Sequence, residues 1–143
     1  MEMIQCEWNQ AGDYVTFDKR LLKVLLVEDS PLLAERLREI IDHQEGIELL
    51  DTVDNEVTAI QVSKDAAPDA LILDLHLKQG TGFGVLRSIR NDSHRPVVVV
   101  LTNYALPQYQ REAKLLGARY FLDKAREFER IPEVLNEIAR EGD

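Results

Sequence analysis

The chain has little cysteine, little positive charge and no long apolar run. Cys6 is the one cysteine among 143 residues, which excludes an internal disulfide and gives no support for a cysteine-based metal site. The formal net charge of −9 argues against an electrostatic grip on nucleic acid or on anionic lipid. We therefore expect a protein that meets cations or basic partner surfaces and makes no direct contact with nucleic acid.

Signals for membrane insertion and export are missing as well. No apolar run approaches the length of a membrane span, and the first residues lack the apolar stretch of a secretory signal. These absences predict no membrane insertion and a cytoplasmic location. Apolar residues nevertheless make up 45% of the chain, which is enough for a real core in one domain of ordinary size.

Strand-like and helix-like segments alternate five times between Leu21 and Ala139. The predicted strands are 21–27, 47–53, 70–73, 96–101 and 120–122. The predicted helices are 32–43, a second that Asp54 or Asn55 caps and that runs to about 66, a third marked by 85–89 that ends near 91–95, 107–116 and 127–139. This alternation predicts an α/β fold in which a parallel sheet carries helices on both faces.

Local signals support several of these boundaries. Ser30 and Pro31 are typical of the N-cap and first residue of a helix, and Gly117 is typical of a helix end. The glycine-rich stretch Gly80–Gly84 is interpreted as a loop, since it lacks the Gly-Lys-Ser/Thr of a phosphate-binding loop.

Residues 1–20 show no sustained period. They are interpreted as an N-terminal extension ahead of a domain that spans 21–143. A loose extension is one interpretation, and a short strand at Tyr14 to Phe17 or a partner-binding arm is the alternative.

The predicted strands end at polar residues, and this pattern carries the functional argument. Glu28 and Asp29 follow the first strand, Asp74 follows the third, Thr102 ends the fourth, and Lys124 follows the fifth. All these ends share one edge in a parallel sheet, where open α/β sheets bind their ligands. We therefore expect three carboxylates, one hydroxyl and one ammonium to converge.

Three neighbouring carboxylates repel one another, and a hard divalent cation relieves that repulsion. Mg²⁺ accepts oxygen ligands, keeps several waters and usually works together with phosphates. Lys124 adds a positive charge for a phosphoryl oxygen, and Thr102 adds a hydrogen-bond donor. The set is suited to placing a phosphoryl group on Asp74, and no residue is placed as a general base that activates water.

These residues resemble the receiver domain of two-component response regulators, a family with a CheY-like fold. The matching residues are Glu28-Asp29, Asp74 followed by Leu77 and Gly82, Thr102, and Lys124. The resemblance covers about 21–139. It implies a doubly wound, flavodoxin-like (βα)5 fold with strand order 2-1-3-4-5.

The resemblance also implies roles for the site residues. Asp74 would accept a phosphoryl group from a phosphohistidine on a sensor histidine kinase or a phosphotransfer protein. Mg²⁺ would be held by Asp29 and Asp74, by the backbone carbonyl of His76, and through water by Glu28. Lys124 would pair with the phosphoryl oxygens, while Thr102 would move toward them and Phe121 would take the aromatic switch position. Such a domain catalyses only its own phosphorylation and slow autodephosphorylation, so it is not expected to be an enzyme in the ordinary sense.

The sequence departs from the family pattern at four positions. Ala125 stands where proline commonly follows the lysine, which predicts a reshaped turn after Lys124, and Lys78 stands where proline is common after the phosphoacceptor. Asn103 replaces a small residue and is expected to narrow access to Asp74, and Phe121 replaces a tyrosine, so switching would be read by packing alone. His76 and Tyr104 occupy positions that often tune dephosphorylation in this family.

The favoured function is a stand-alone response regulator of a two-component phosphorelay, whose phosphorylation changes its binding to a downstream protein. A homodimer is left open. One rival is a pseudo-receiver, a protein-binding module of the same fold that is never phosphorylated. A second rival is an aspartate-nucleophile phosphatase, but the second aspartate of that class is absent because Leu75-His76 follow Asp74.

Overall fold

The computed structural model describes residues 2–8, 10–12 and 14–142, and for 2–8 and 14–20 it describes the backbone. The strands are β1 Glu2–Trp8, β2 Tyr14–Arg20, β3 Leu22–Val27, β4 Ile47–Val53, β5 Ala70–Leu73, β6 Val97–Thr102 and β7 Tyr120–Asp123. The helices are α1 Pro31–Asp42, α2 Glu56–Ala66, α3 Gly82–Ile89, α4 Pro107–Leu115, α5 Lys124–Glu127 and α6 Ile131–Glu141, with a 3₁₀ turn at Phe128–Arg130.

A five-stranded parallel sheet with the order β4-β3-β5-β6-β7 forms the centre of the fold. Counted from β3, this is the expected order 2-1-3-4-5, so the predicted fold class is confirmed. Side chains alternate along β3: Val24 and Leu26 enter one apolar core, while Leu25 and Val27 enter the other. Burial on both faces explains why the central strands are nearly uninterrupted apolar runs.

The start of α1 shows how the sequence directs the chain away from the site edge. Ser30 lies in an extended conformation and its hydroxyl accepts a hydrogen bond from the amide of Leu33 at 3.3 Å. Pro31 takes the first helical position, where a missing amide hydrogen costs nothing. Leu37 and Ile41 are then fully buried on the inner face of α1.

Two helix boundaries differ from the prediction. The interpretation of Gly80–Gly84 as a loop is wrong for its second half, because α3 begins at Gly82 with Thr81 as its N-cap. The last helix is interrupted: α5 and a 3₁₀ turn precede α6, which begins at Ile131. Pro132 lies in the first turn of α6, where a residue without an amide hydrogen favours a helix start over a continuing helix.

A separate two-stranded antiparallel sheet, β1 and β2, precedes the central sheet. Its register pairs Glu2 with Arg20 and Trp8 with Tyr14. The loose-extension interpretation is therefore wrong for the described residues, and the strand expected at Tyr14 to Phe17 lies within β2. The division into 1–20 and 21–143 stays a prediction.

Candidate functional site

The carboxyl edge of the central sheet gathers the residues that the sequence pattern singled out. The amide of Glu28 donates to the carbonyl of Val53, and the amide of Asp74 donates to the carbonyl of Val27. The sheet ladder therefore fixes the backbone of both acidic residues just beyond β3 and β5. Glu28, Asp74, Thr102 and Lys124 are all buried, and Asp29 is exposed.

Lys124 bridges the two buried carboxylates. Its Nζ lies 2.6 Å from Oε1 of Glu28 and 2.9 Å from Oδ2 of Asp74. Burial alone would lower the pKa of Lys124, but hydrogen bonds to both carboxylates raise that pKa above its ordinary value. Burial raises the pKa of Glu28 above its usual range, although the ammonium of Lys124 acts in the opposite direction. The contact of Lys124 with the two carboxylates is thus a desolvated ionic interaction and not a surface salt bridge.

Three carboxylates meet where the sequence predicted a cation site. One oxygen each from Glu28, Asp29 and Asp74 lies within 4.8 Å of the others. Three negative charges face a single ammonium, so the cluster keeps an excess of negative charge that a hard divalent cation could balance. The site opens into a cleft of about 460 Å³ that Asp29 and Asp74 line together with Lys124.

Each oxygen of Asp74 has a distinct partner. Oδ2 accepts from Lys124, while Oδ1 accepts from the backbone amide of His76 at 3.2 Å. The loop that leaves β5 therefore turns back at once onto the carboxylate. This contact places the backbone of His76, a ligand implied by the family resemblance, beside the acidic cluster.

The hydroxyl of Thr102 is fully buried and accepts a hydrogen bond from the amide of Tyr104 at 3.1 Å. It thereby holds the turn that follows β6. Phe121, in β7, is partly buried and packs against the apolar core that contains Val100. The structure therefore brings Glu28, Asp29, Asp74 and Lys124 into direct proximity, places the backbone of His76 beside them, and puts Thr102 and Phe121 on the two adjoining strands.

The family model for the response regulator receiver domain matches residues 24–136. The match covers most of the chain and includes every residue of the cluster. The chain belongs to the response regulator receiver family.

Named relatives agree with this membership. The transcriptional regulatory protein BtsR of Salmonella typhi is 32% identical over 121 residues, which are 85% of this chain and 49% of that protein. The sensory transduction protein LytT of Enterococcus faecalis is 28% identical over 120 residues, or 84% of this chain and 49% of that protein. The receiver chain thus spans about half the length of the curated relatives it matches.

The solved structures agree on the fold. A DNA-binding response regulator of the LuxR family from Staphylococcus aureus superposes with a TM-score of 0.77 at 25% identity, covering 83% of this chain and 99% of that one. The response regulator domain of CheB from Thermotoga maritima superposes with a TM-score of 0.75 at 22% identity, covering 85% of this chain and 96% of that one.

Receiver domains act as phosphoacceptor switches in two-component signalling. Among the described residues, no helix is both long and apolar enough to cross a membrane.

Two departures of this receiver domain from the family pattern have a common structural use. The amide of Lys78 donates to the carbonyl of Asp54 at 3.2 Å, and the amide of Ala125 donates to Oδ1 of Asp123 at 2.9 Å. Proline has no amide hydrogen and could make neither bond. The turn after Lys124 forms α5, which begins at Lys124 itself, and no cis peptide bond occurs in the described part of the chain.

Sequence reasoning did not predict the reciprocal cap that starts α5. Oδ1 of Asp123 accepts from the amide of Ala125, while the amide of Asp123 donates to Oε1 of Glu127 at 3.0 Å. Both bonds flank Lys124 and fix the backbone that carries the ammonium. The sequence signal was weak, because the glutamate follows the aspartate by four residues and the usual capping-box spacing is three.

A stacked pair at the mouth of the cleft was not predicted either. The rings of His76 and Tyr104 lie 3.8 Å apart at their centroids, with 22° between their planes. Asn103 lines the same cleft with an exposed side chain. Arg36, on α1, also lines the cleft, and its guanidinium lies 4.8 Å from the centroid of Phe128.

Proposed function

We propose that this receiver domain accepts a phosphoryl group on Asp74 from a phosphohistidine of a sensor histidine kinase or phosphotransfer protein. The observation that carries the proposal is the arrangement around Asp74. One of its oxygens is paired with Lys124, and its carboxylate shares an acidic cluster with Glu28 and Asp29. A nucleophilic carboxylate beside a cation site and an ammonium is what phosphoryl transfer to aspartate requires.

The proposed step conserves atoms and charge. A carboxylate oxygen of Asp74 attacks phosphorus while the phosphorus–nitrogen bond of the phosphohistidine breaks. The bonding pair stays on the imidazole nitrogen, which a proton then neutralises. Lys124 leaves Glu28 and pairs with a phosphoryl oxygen, and Thr102 donates its hydroxyl hydrogen to another. The product is an acyl phosphate on Asp74.

Mg²⁺ fits the donor set of this site. Glu28, Asp29 and Asp74 offer hard carboxylate oxygens, and the backbone carbonyl of His76 is the fourth expected ligand. When bound, the ion neutralises the charge that develops on the transferring phosphoryl oxygens. The exposed side chain of Asp29 and the open cleft leave room for the waters that Mg²⁺ retains.

Phosphorylation would act through the neighbouring strands. Thr102 is buried at the end of β6, and moving its hydroxyl toward a phosphate would break its bond to the amide of Tyr104. The turn before α4 would then be free to shift together with Phe121. We propose that this change alters binding of a downstream protein, in a stand-alone, cytoplasmic signalling role or within a relay. The domain would perform no catalysis beyond its own phosphorylation and slow autodephosphorylation.

The proposal is tested by intact-mass measurement after incubation with Mg²⁺ and acetyl phosphate. We expect a gain of one phosphoryl group that is absent without Mg²⁺ and absent in Asp74→Asn. Asp65→Asn, which removes an exposed carboxylate on α2, is the matched control and should be labelled like the wild type. A gain that persists in Asp74→Asn would move the acceptor elsewhere. No gain in any protein, including with a phosphohistidine donor, would favour the pseudo-receiver.

A further inference from the structure

We propose that Glu56 is a positioning residue for the Mg²⁺ site, acting through the segment 75–81, here called the Asp74 loop. The inference rests on the proposed function, because it concerns how the same site is held. Glu56 is the first residue of α2 and belongs to neither the acidic cluster nor the cleft lining. Its influence would therefore pass entirely through the backbone of the Asp74 loop.

Backbone hydrogen bonds join the Asp74 loop to the start of α2. The amide of Lys78 donates to the carbonyl of Asp54, and the amide of Glu56 donates to the carbonyl of Gln79 at 3.0 Å. Asn55 and Gln79 form an isolated parallel bridge between these two contacts. The two turns, which follow β4 and β5, are thus joined along three consecutive residues.

The side chain of Glu56 extends this junction to the end of the loop. Its Oε1 accepts a hydrogen bond from the amide of Thr81 at 2.9 Å. Two glycines make the space: a Cβ on Gly84 would lie 2.3 Å from Oε1 of Glu56, and one on Gly80 would lie 2.4 Å from its Cβ. Gly80 also has a φ of +84°, which other residues rarely adopt.

The far side of the Asp74 loop closes on the acidic cluster. Thr81 and His76 form an antiparallel bridge, and the amide of Gly82 donates to the carbonyl of Leu75 at 3.0 Å. A Cβ on Gly82 would lie 2.4 Å from the carbonyl oxygen of Asp74, so the loop returns to where it began. Holding Thr81 therefore holds His76, whose amide contacts Asp74 and whose carbonyl is an expected ligand.

This geometry explains why the stretch Gly80–Gly84 is rich in glycine. Gly80 and Gly84 are the sites where Glu56 reaches the loop, and Gly82 is where the loop meets Asp74. Glu56 acts as an acceptor, so its oxygen matters and its charge does not. Glutamine supplies the same acceptor, whereas alanine supplies none.

The first test is the affinity of the unphosphorylated protein for Mg²⁺, measured by calorimetric titration. We expect Glu56→Gln to bind like the wild type and Glu56→Ala to bind roughly tenfold more weakly, as is typical when a group that orients a ligand is lost. Glu133→Ala, which removes an exposed glutamate from the first turn of α6, is the matched control and should bind like the wild type.

Equal weakening in Glu56→Gln and Glu56→Ala would overturn the inference in favour of a simple charge effect. Unchanged affinity in Glu56→Ala, with binding by the wild type, would overturn it outright and leave the proposed function standing. Absence of Mg²⁺ binding in the wild type would instead overturn the proposed function and the inference with it.

A second variant, Gly84→Ala, disturbs the hydrogen bond between Glu56 and Thr81 from α3. The added methyl of Gly84→Ala meets the flexible end of Glu56 and should push its carboxylate off Thr81. We expect Gly84→Ala alone to weaken Mg²⁺ binding relative to the wild type. In the Glu56→Ala background it should cause no further loss of Mg²⁺ affinity. Independent losses that multiply in the double variant would show that the two residues do not act through one contact.

Discussion

At the scale of single residues, the buried part of the site holds two carboxylates for one ammonium. The ammonium of Lys124 serves Glu28 and Asp74 at once, and all three side chains are less than a tenth exposed. Removing one member of such a group leaves buried charge without a partner, which costs far more than losing a surface ion pair.

Lys124→Met should therefore destabilise the metal-free protein by roughly 3 kcal/mol near neutral pH. The cost should shrink as the pH falls from about 8 to about 5. Burial already raises the pKa of Glu28, so folding shifts Glu28 toward its neutral form relative to the unfolded chain, and the folded state gains stability as the pH falls through that pKa. Without Lys124 the group that opposes this shift is gone, and the pKa rises further. Urea unfolding at both pH values measures the difference.

Lys114→Met, on the exposed surface of α4, is the control for loss of one ammonium from a chain with a net charge of −9. It should change the unfolding free energy little at either pH. A Lys124→Met cost that stays constant with pH would mean that Glu28 does not titrate in response to Lys124.

The sequence predicted these residues because each follows a strand, and the ends of parallel strands meet. It did not predict that Lys124 would take two partners, or that His76 and Tyr104 would stack. Those contacts depend on the conformation of loops, where the spacing of residues along the chain carries no distance information.

At the scale of elements, the short helix α5 positions the ammonium of the site. Lys124 is its first residue, and the hydrogen bonds of Asp123 with Ala125 and Glu127 hold the turn. A proline after Lys124 would remove the amide that Asp123 accepts from and would disfavour the helical conformation of Lys124 itself.

Ala125→Pro should for these reasons destabilise the protein by about 1 to 2 kcal/mol, measured by urea unfolding. Ala125→Gly keeps the amide and is the matched control, whose cost should stay at or below about 1 kcal/mol. Equal costs for proline and glycine would mean that the hydrogen bond donated by the amide of residue 125 contributes nothing measurable.

Element boundaries were predictable where the sequence carries a strong local signal. Ser30-Pro31 marked the start of α1, and Gly117, with a φ of +105°, marked the end of α4. The start of α3 was missed, because glycines at 82 and 84 argue against a helix by propensity, yet packing against Glu56 and Asp74 requires them. Tertiary packing here outweighs a local preference of about 1 kcal/mol per residue.

At the scale of the whole molecule, alternation of strands and helices was enough to predict a parallel α/β sheet, but not the order of its strands. Order 2-1-3-4-5 came from the family resemblance, since many orders satisfy the same alternation. The pairing of β1 with β2 was not predicted, because mixed polar and apolar residues in 1–20 give no sustained period; only a strand at Tyr14 to Phe17 was an alternative.

The whole molecule carries excess negative charge, and part of that charge is gathered in the acidic cluster. Because Mg²⁺ would neutralise the cluster, we expect it to stabilise the unphosphorylated fold. At ten times its dissociation constant, a ligand that binds only the folded state adds about 1.4 kcal/mol, which for a domain of this size is a rise in Tm of a few degrees. Thermal unfolding in MgCl₂ measures the shift.

Screening by salt also stabilises a chain with a net charge of −9, so NaCl of equal ionic strength is the control. Asp29→Asn, at an exposed site, should fold normally and lose the part of the shift specific to Mg²⁺. If NaCl reproduces the whole shift, or if Asp29→Asn retains it, the three carboxylates do not share a cation.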